Sequence, residues 1–217
     1  FATGKPENLP SGNGRFELVE ADLRDPEACR KACRGAAYVF HQAALGSVPR
    51  SLADPGSTIS VNVAGTANIL QASRDARVRR VVYASSSSVY GDSERLPKKE
   101  GEEGLPVSPY ALSKLMVEQL ADIFGLMFGL ESIGLRYFNV YGPRQDPEGP
   151  YAAVIPRFFQ AYLAGKAPVI YGDGLQSRDF TYVDDAVRAN LLAASADSNA
   201  RIPSPGSGRA VTEKAAR

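Results

Sequence analysis

The chain has 217 residues and a formal net charge of +1, with 44% hydrophobic and 23% charged residues, which is typical of globular proteins. This balance gives no sign of a nucleic-acid or membrane-surface partner, and no apolar run is long enough to span a bilayer. Two cysteines, Cys29 and Cys33, and one histidine, His41, are too few for a metal site. We therefore predict a metal-free protein of the reducing cytoplasm, with His41 in a structural role.

Short apolar runs alternate with longer helical patterns along the first 140 residues. In chain order the predicted elements are a strand at 16–20, a helix opened by Asp25 and Pro26, a strand within 36–44, a helix at 58–76, a strand at 80–84, a helix opened by Ser108 and Pro109, and a strand at 132–138. This order predicts an α/β fold with a doubly wound parallel sheet, whose ligands bind at the carboxyl ends of the strands.

The character of the sequence changes after about residue 140. Glycine and proline form a loop, followed by a predicted helix at 154–164, a short strand at 169–171 and a helix at 183–194. We predict a smaller lobe over residues 141–200. The segment 201–217 is rich in proline, serine, glycine and charge, and we expect it to be poorly ordered.

The sharpest chemical signal is Tyr110 followed four residues later by Lys114 on a predicted helix. Positions four apart share one helical face, so the phenol and the ammonium can converge. A free tyrosine has a pKa of about 10, and a nearby ammonium favours the phenolate. The pair can then act as a general base near neutral pH.

A run of four serines, 85–88, directly follows the predicted strand at 80–84. It lies where an enzyme built on a parallel sheet binds its substrate. A serine there can bond a substrate hydroxyl and pass its proton to Tyr110. The run alone is also compatible with a loop that has no catalytic role.

The ordered motifs SSSSVYG (85–91), SPYALSK (108–114) and LRYFNVYGPRQ (135–145) resemble the extended short-chain dehydrogenase/reductase family. More narrowly they resemble the UDP-sugar 4-epimerases that act on UDP-N-acetylhexosamines. The resemblance extends from Phe1 to about Tyr182. It implies a Rossmann-like NAD-binding domain over residues 1–140, a nucleotide-sugar-binding lobe over 141–200, and a homodimer for the full-length protein.

Roles carry over from this resemblance position by position. Tyr110 matches the base, Lys114 also holds the nicotinamide ribose, Ser86 matches the catalytic hydroxyl, and Ser87 shares or replaces it. The other implied cofactor contacts are Thr3 and Gly4 by the adenosine ribose, Asp22 and Leu23 at the adenine, Gln42, Ala43 and Ala44 along the dinucleotide, and Asn62, Ala84 and Tyr137. The implied substrate contacts are Asn139 and Arg178 at the diphosphate, Ala153, Val154 and the segment 169–171 with Tyr171 at the uracil, Arg144 near the substrate, and Ser47 and Val48 in the sugar pocket.

The resemblance also implies a reaction. Tyr110 removes the proton of the sugar C4 hydroxyl while the C4 hydride passes to NAD+. The resulting 4-keto sugar rotates and takes the hydride back on its other face. The redox chemistry belongs to the cofactor, and the protein positions it.

One part of the family pattern is absent from the sequence. The family begins with a strand, a Gly-x-x-Gly-x-x-Gly turn and a helix, which bring backbone and helix terminus to the pyrophosphate. No such turn occurs, and Gly12-Asn13-Gly14 does not follow a predicted strand. The expectation is a domain that lacks its N-terminal segment, with low stability and weak NAD binding by this chain alone.

Three other interpretations stay open. Related 4,6-dehydratases and decarboxylases place an acid beside the catalytic hydroxyl, where this chain has Ser87 and Ser88. A uronate epimerase would carry Thr in place of Asn139. A catalytically silent NAD-binding module would usually lose Tyr110 or Lys114. The segments Gly46–Pro49 and Gln145–Pro147 favour UDP-N-acetylglucosamine over UDP-glucose as the substrate.

Overall fold

The computed structural model describes residues 4–10, 16–146, 154–196 and 209–212. The strands are β1 (Tyr38–His41), β2 (Arg80–Ser86), β3 (Ser132–Tyr137), β4 (Val140–Tyr141), β5 (Thr181–Tyr182) and β6 (Arg209–Thr212). A principal sheet has the order β1-β2-β3-β6, and β4 pairs with β5 in a small second sheet. Every pairing is parallel, which confirms the predicted α/β fold.

The helices are α1 (Pro26–Cys33), α2 (Val48–Ala53), α3 (Pro55–Ile59), α4 (Gly65–Asp75), α5 (Pro109–Phe128), α6 (Val154–Leu163) and α7 (Val183–Ser195). Asp25 caps α1 by accepting the backbone N–H groups of Glu27 and Ala28, and Ser108 caps α5 by accepting that of Ala111. Both predicted helix starts are therefore confirmed. No helix within the described residues is long and apolar enough to cross a membrane.

Helices cover both faces of the principal sheet. On one face Val81 and Tyr83 of β2 pack with Leu70 of α4 and Val117 and Ala121 of α5. The intervening strand residues point the other way, because side chains alternate along a strand. On that opposite face the packed residues are Val82, Leu135, Ala189, Ala193 and Ala194. The sheet is thus buried between two layers of helices, as a doubly wound architecture requires.

The second face is covered by helix α7. Helix α7 lies within the segment 141–200 assigned to the smaller lobe, yet it packs on β2 and β3 of the principal sheet. Small alanine side chains at positions 189, 193 and 194 allow the helix to approach the sheet closely.

Two predicted strands are absent from the described structure. Residues 16–20 form no strand, and Phe16 and Leu18 are exposed, because no described strand lies beside them to accept their backbone hydrogen bonds. Residues 169–171 are irregular, and the small sheet is formed by β4 and β5 instead. In the predicted tail, Arg209–Thr212 form β6, because the free edge of β3 offers backbone partners that these residues pair with. The rest of that tail lies outside the described residues.

A glycine makes the close contact between the two central strands possible. Gly134 of β3 lies opposite Tyr83 of β2, and a Cβ added to it would stand 2.5 Å from Cζ of the tyrosine ring. We expect Gly134→Ala to lower the free energy of unfolding by about 1–3 kcal/mol, because the ring is buried and has no room to move aside. Urea denaturation measures this.

Gly125→Ala is the matched control. Its added Cβ would meet only the carbonyl of Leu130 at an ordinary 3.6 Å, and it lies inside α5. This change should raise stability by about 0.5–1 kcal/mol through helix propensity. If the two alanine variants are equally stable, the assigned packing of Tyr83 is wrong.

Candidate active site

The carboxyl ends of three neighbouring strands bring the predicted site residues together. Gln42 follows β1, Ser86 ends β2, and Tyr137 ends β3 in register with Ser86. Helix α5 packs behind β2 and carries Tyr110 and Lys114 in its first two turns. This is the edge of a parallel sheet at which ligands bind.

Lys114 is the best-defined catalytic candidate. Its Nζ donates to the backbone oxygen of Ala84 at 2.7 Å, and only 4% of the residue is exposed. Burial lowers its pKa to about 8, while the nearby carboxylate of Glu118 acts in the opposite direction. The ammonium is therefore still mostly charged at pH 7. Tyr110 lies one turn earlier in the same helix, α5, as predicted, and is half-buried.

Ser86 and Ser87, at the end of β2, differ in their positions and hydrogen bonds. The Ser86 oxygen accepts from the backbone N–H of Ser88 at 3.2 Å and from its hydroxyl at 3.0 Å. These two bonds use both lone pairs and leave Ser86 its own proton to donate. Ser87, which is half-buried, begins the 3₁₀ turn Ser87–Tyr90. A single outward donor is what a reacting alcohol oxygen needs from the protein.

A buried ionic network lies on the other face of β2. The hydroxyl of Ser85 donates to Glu118, and the guanidinium of Arg136 donates to the same carboxylate at 2.9 and 2.7 Å. Arg136 also pairs with Glu103 and lies 4.8 Å from the centre of the Tyr90 ring. Sequence reasoning missed this network, although Glu118 follows Lys114 by one helical turn and Arg136 lies opposite Ser85.

Asn62 is buried and makes three hydrogen bonds within the protein. It is 2% exposed, in a π-helical turn (Ser60–Ala64) between α3 and α4. Its amide accepts from the backbone N–H of Leu45 at 2.7 Å and donates to the oxygen of Leu45 at 3.1 Å and to Ser113 at 3.0 Å. Both of its N–H groups are thus used within the protein. Asn62 fastens the loop after β1 to α5, and its implied place near the cofactor stays a prediction.

His41 at the end of β1 is buried. Its Nε2 lies 2.8 Å from the hydroxyl oxygen of Thr66, which itself donates to the backbone oxygen of Asn62 at 2.5 Å. Because the single proton of Thr66 is used there, Nε2 of His41 must carry the hydrogen. Burial, and then the charge of Lys114, lower the histidine pKa to about 4. The imidazole is neutral, in keeping with its predicted structural role.

Gln42 and Tyr137 contact each other and a residue that the sequence did not indicate, Asn190 of α7. The phenol of Tyr137 donates to Oε1 of Gln42 at 2.8 Å, and Nε2 of Gln42 donates to Oδ1 of Asn190 at 2.9 Å. Nδ2 of Asn190 completes the ring by donating to the phenol oxygen at 2.6 Å. No motif in the sequence marks Asn190, since it lies 148 residues from Gln42.

The implied adenine contacts, Asp22 and Leu23, differ in exposure. Asp22 is exposed and binds Arg24 with an N–O distance of 2.6 Å, and this hydrogen bond lowers its carboxyl pKa to about 2. Leu23 is half-buried and packs against Gly65. A Cβ added to Gly65 would lie 3.2 Å from the Cβ of Leu23. Gly4 and Ala43 are exposed and Ala44 is half-buried. Thr3 lies outside the described residues.

Asn139, an implied substrate residue, contacts the segment that carries Arg178. Asn139 has a left-handed backbone, with φ of +32°, and its Nδ2 donates to the backbone oxygen of Asp179 at 2.7 Å. This bond holds the segment that carries Arg178, whose side chain is exposed. Arg144 is also exposed, with φ of +68°. The two residues implied in the sugar pocket belong to α2, where Ser47 caps the helix through the N–H of Arg50 and Val48 is exposed.

A cleft of about 570 Å³ lies between α6 and the segment that follows it. Val154 and Tyr171, both implied at the uracil, line it together with Arg157 and Lys166. The two basic residues were not predicted, because isolated charges on a helix and in a loop carry no motif. Ala153 lies outside the described residues.

The residues suit the nicotinamide end of a dinucleotide. A half-buried tyrosine, a buried lysine and a serine that keeps its proton to donate are the groups that hydride transfer at an alcohol carbon requires from the protein. The Gly-x-x-Gly-x-x-Gly turn for the pyrophosphate does not occur in the 217 residues. Within the described residues no group of three or more His, Cys, Asp or Glu could hold a metal ion.

The fold and the ordered motifs are those of the extended short-chain dehydrogenase/reductase class, as predicted. Over residues 2–204 the sequence matches the NAD dependent epimerase/dehydratase family, and the chain belongs to it. This confirms the predicted family and, at the level of the family, the predicted cofactor.

Several proteins similar to this chain are named as nucleotide-sugar 4-epimerases. The chain is 42% identical over 195 residues to a putative UDP-glucose 4-epimerase of Methanocaldococcus jannaschii, covering 89% of this chain and 63% of the relative. The UDP-N-acetylglucosamine 4-epimerase of Methanobrevibacter ruminantium M1 has a TM-score of 0.87 and 42% identity, over 96% of this chain and 64% of that one. The UDP-glucose 4-epimerase of Thermus thermophilus, solved with NAD, has a TM-score of 0.79 and 39% identity, over 90% and 65%.

Relatives with other activities also match. A UDP-N-acetyl-alpha-D-glucosaminuronate decarboxylase of Bacillus cytotoxicus is 36% identical, and a dTDP-glucose 4,6-dehydratase of Streptomyces griseus is 34% identical. The chain spans just under two thirds of the length of the first relatives it matches.

His41 gives a direct test of the electrostatics, because it is the only histidine in the chain. We expect its NMR titration to give a pKa of about 4 instead of the ordinary 6.5. Between pH 6.5 and about 4 the histidine is protonated in the unfolded chain but neutral in the folded chain. The free energy of unfolding therefore decreases as the pH falls through this range.

A lysine variant separates the two causes of this shift. Lys114→Met should raise the pKa of His41, since it removes the charge that opposes protonation. Lys31→Met, on the exposed surface of α1, is the matched control and should leave the titration unchanged. A histidine that titrates near 6.5 in the unaltered chain would contradict the described burial.

Breaking the buried ion pair between Arg136 and Glu118 should destabilise the protein more than breaking an exposed ion pair. Arg136→Met should lower the free energy of unfolding by about 3–5 kcal/mol, because it leaves the carboxylate of Glu118 buried without its partner. Adding Glu118→Gln should recover part of that loss by removing the stranded charge. Arg30→Met, which breaks an exposed pair with Glu27, is the control and should change urea denaturation little. Equal costs for Arg136→Met and Arg30→Met would rule out the buried network.

Proposed function

We propose that the protein catalyses the NAD-dependent 4-epimerisation of a UDP-hexose, with UDP-N-acetylglucosamine and UDP-N-acetylgalactosamine as the substrate pair. The observation that carries this proposal is the fixed ammonium of Lys114 on the carbonyl of Ala84, one helical turn after Tyr110 and at the end of the strand that carries Ser86. These groups suit reversible proton removal from an alcohol.

Each protein group has one task in the proposed reaction. Tyr110 accepts the proton of the C4 hydroxyl, and Lys114 keeps its phenolate accessible near neutral pH. Ser86 donates its hydroxyl proton to the C4 oxygen, because its two accepted hydrogen bonds leave that proton unused. NAD, when bound, supplies the acceptor and then the donor of the C4 hydride. The 4-keto sugar stays bound through its nucleotide. It rotates so that its other face receives the returning hydride.

The nucleotide is assigned to the smaller lobe. Arg178 suits the diphosphate, because a guanidinium can donate two parallel hydrogen bonds, and Asn139 holds its loop in place. The cleft lined by Val154 and Tyr171 suits the uracil, and the charges of Arg157 and Lys166 at the same cleft favour an anionic ligand. The choice of an N-acetylhexosamine rests on the segments Gly46–Pro49 and Gln145–Pro147 and on the solved relative from Methanobrevibacter ruminantium.

The competing chemistries need a second acid or base. A 4,6-dehydratase or a decarboxylase of this family would use an acidic residue beside the catalytic hydroxyl, and this chain has Ser87 and Ser88 there. A silent NAD-binding module would not need the buried Lys114 beside Tyr110, because a buried ammonium is costly to retain. Both alternatives are therefore weaker than epimerisation.

Assembly and location remain predictions. A homodimer formed through α5 and its neighbour would cover the exposed side chains of Leu112 and Ile123. A cytoplasmic location agrees with the two free, buried cysteines, Cys29 and Cys33.

Tyr110→Phe tests the proposed reaction. Incubated with NAD+ and, separately, UDP-N-acetylglucosamine or UDP-glucose, the full-length protein should accumulate the 4-epimer in proton NMR spectra. The variant should lower kcat by about 10²- to 10⁴-fold, because the general base is gone. Tyr162→Phe, an exposed tyrosine on α6, is the matched control and should keep full activity.

The sugar that reacts faster identifies the substrate. Unchanged spectra for both sugars, with NAD bound to the unaltered protein, would exclude C4 epimerisation of these substrates and return the dehydratase and silent-module hypotheses to first place.

A further inference from the structure

A closed ring of hydrogen bonds joins Gln42, Tyr137 and Asn190, and we call it the amide–phenol ring. Each member donates once and accepts once within it. Nδ2 of Asn190 also donates to the backbone oxygen of Ala186 at 2.8 Å, one turn earlier in α7. The ring is therefore anchored to the helix backbone at one of its three corners.

The proton count fixes the direction of every bond in the ring. A phenol has a single proton, and that of Tyr137 goes to Gln42, so the amide nitrogen of Asn190 must face the phenol. The bond to Ala186 requires the same orientation, because a carbonyl accepts only from the nitrogen side of the amide. Oδ1 of Asn190 is then turned towards Gln42 and orients its amide.

This orientation leaves one group available at the sheet edge. Gln42 is exposed and uses one N–H on Asn190, and its second N–H has no acceptor among the described residues. Gln42 follows β1 and Tyr137 ends β3, so the two flank β2 at the end where Ser86 lies. Ligands of parallel sheets bind across these strand ends.

The ring also bridges the two parts of the site. Helix α7 begins directly after β5, and β4 begins three residues after Tyr137. The small sheet that these strands form carries Asn139 and the Arg178 segment. Asn190 of α7, the helix that follows the small sheet, thus contacts the carboxyl ends of β1 and β3 through Gln42 and Tyr137.

We propose that Asn190 is a positioning residue that holds Gln42 and Tyr137 in place for the nicotinamide half of the dinucleotide, with the second N–H of Gln42 turned to that ligand. This inference rests on the proposed function only for the identity of the ligand as NAD. It assigns a role to Asn190 that none of the sequence motifs indicates. Asn190 acts through its two partners and does not itself react.

The test measures NAD+ binding to the full-length protein by titration calorimetry, without any sugar. Asn190→Leu keeps the size of the side chain and removes its hydrogen bonds, and the Kd for NAD+ should rise about fivefold to tenfold. Tyr137→Phe opens the same ring and should give a similar rise. Because both changes break one unit, the double variant should bind no more weakly than the weaker single variant.

Gln71→Leu is the matched control. It removes an amide of the same kind from the exposed surface of α4, where the side chain donates to Asp75. Its Kd for NAD+ should equal that of the unaltered protein. In turnover assays Asn190→Leu should raise the KM for NAD+ and keep kcat at saturating NAD+, whereas a general loss of folded protein would lower kcat alone.

Three results would overturn the proposal. The first is an Asn190→Leu protein whose melting temperature falls while its Kd for NAD+ stays unchanged, which would make the ring merely structural. The second is a double variant whose loss is the sum of the two single losses. The third is an unaltered protein that does not bind NAD+. Failure of the proposed epimerisation looks different, because NAD+ would then bind and respond to Asn190→Leu while both sugars stay unconverted.

Discussion

The bond from the ammonium of Lys114 to the carbonyl of Ala84 is the contact on which the site depends. It fastens the first turns of α5 to the end of β2, and so relates Tyr110 on the helix to Ser86 on the strand. A buried ammonium is unfavourable without compensation, and here a backbone carbonyl and the carboxylate of Glu118 supply it. The same ammonium helps to keep His41 neutral at the end of the neighbouring strand.

The two faces of β2 and β3 have different roles, one in stability and one in the site. On the α5 face, Ser85 and Arg136 enter a buried network with Glu118, which ties strand, strand and helix together. The next residues along each strand, Ser86 and Tyr137, point the other way and belong to the site. Strand alternation therefore places a stabilising ionic network directly behind the reactive edge, and a shift of register by one residue would exchange the two.

Hydrogen-bonding amides connect this edge to its surroundings. Asn62 fastens the loop after β1 to α5, and Asn139 fastens the Arg178 segment to the small sheet. Asn190 joins the ends of β1 and β3 to α7. An amide suits these tasks because it can donate and accept hydrogen bonds without adding a charge. The catalytic groups are few, and the polar residues that hold them in place are more numerous.

The sequence by itself determined the fold class, the helix starts at Asp25 and Ser108, and the placement of Tyr110 and Lys114 one turn apart on one helix. These are local: period, capping and a four-residue spacing act within one element. Only the tertiary structure decided which side chains meet across strands and helices, as with Arg136 and Glu118, or Asn190 and Gln42. It also decided against a strand at 16–20 and for one at Arg209–Thr212. A strand forms only where a neighbour offers its backbone, and the neighbours of these segments are set by the folded sheet.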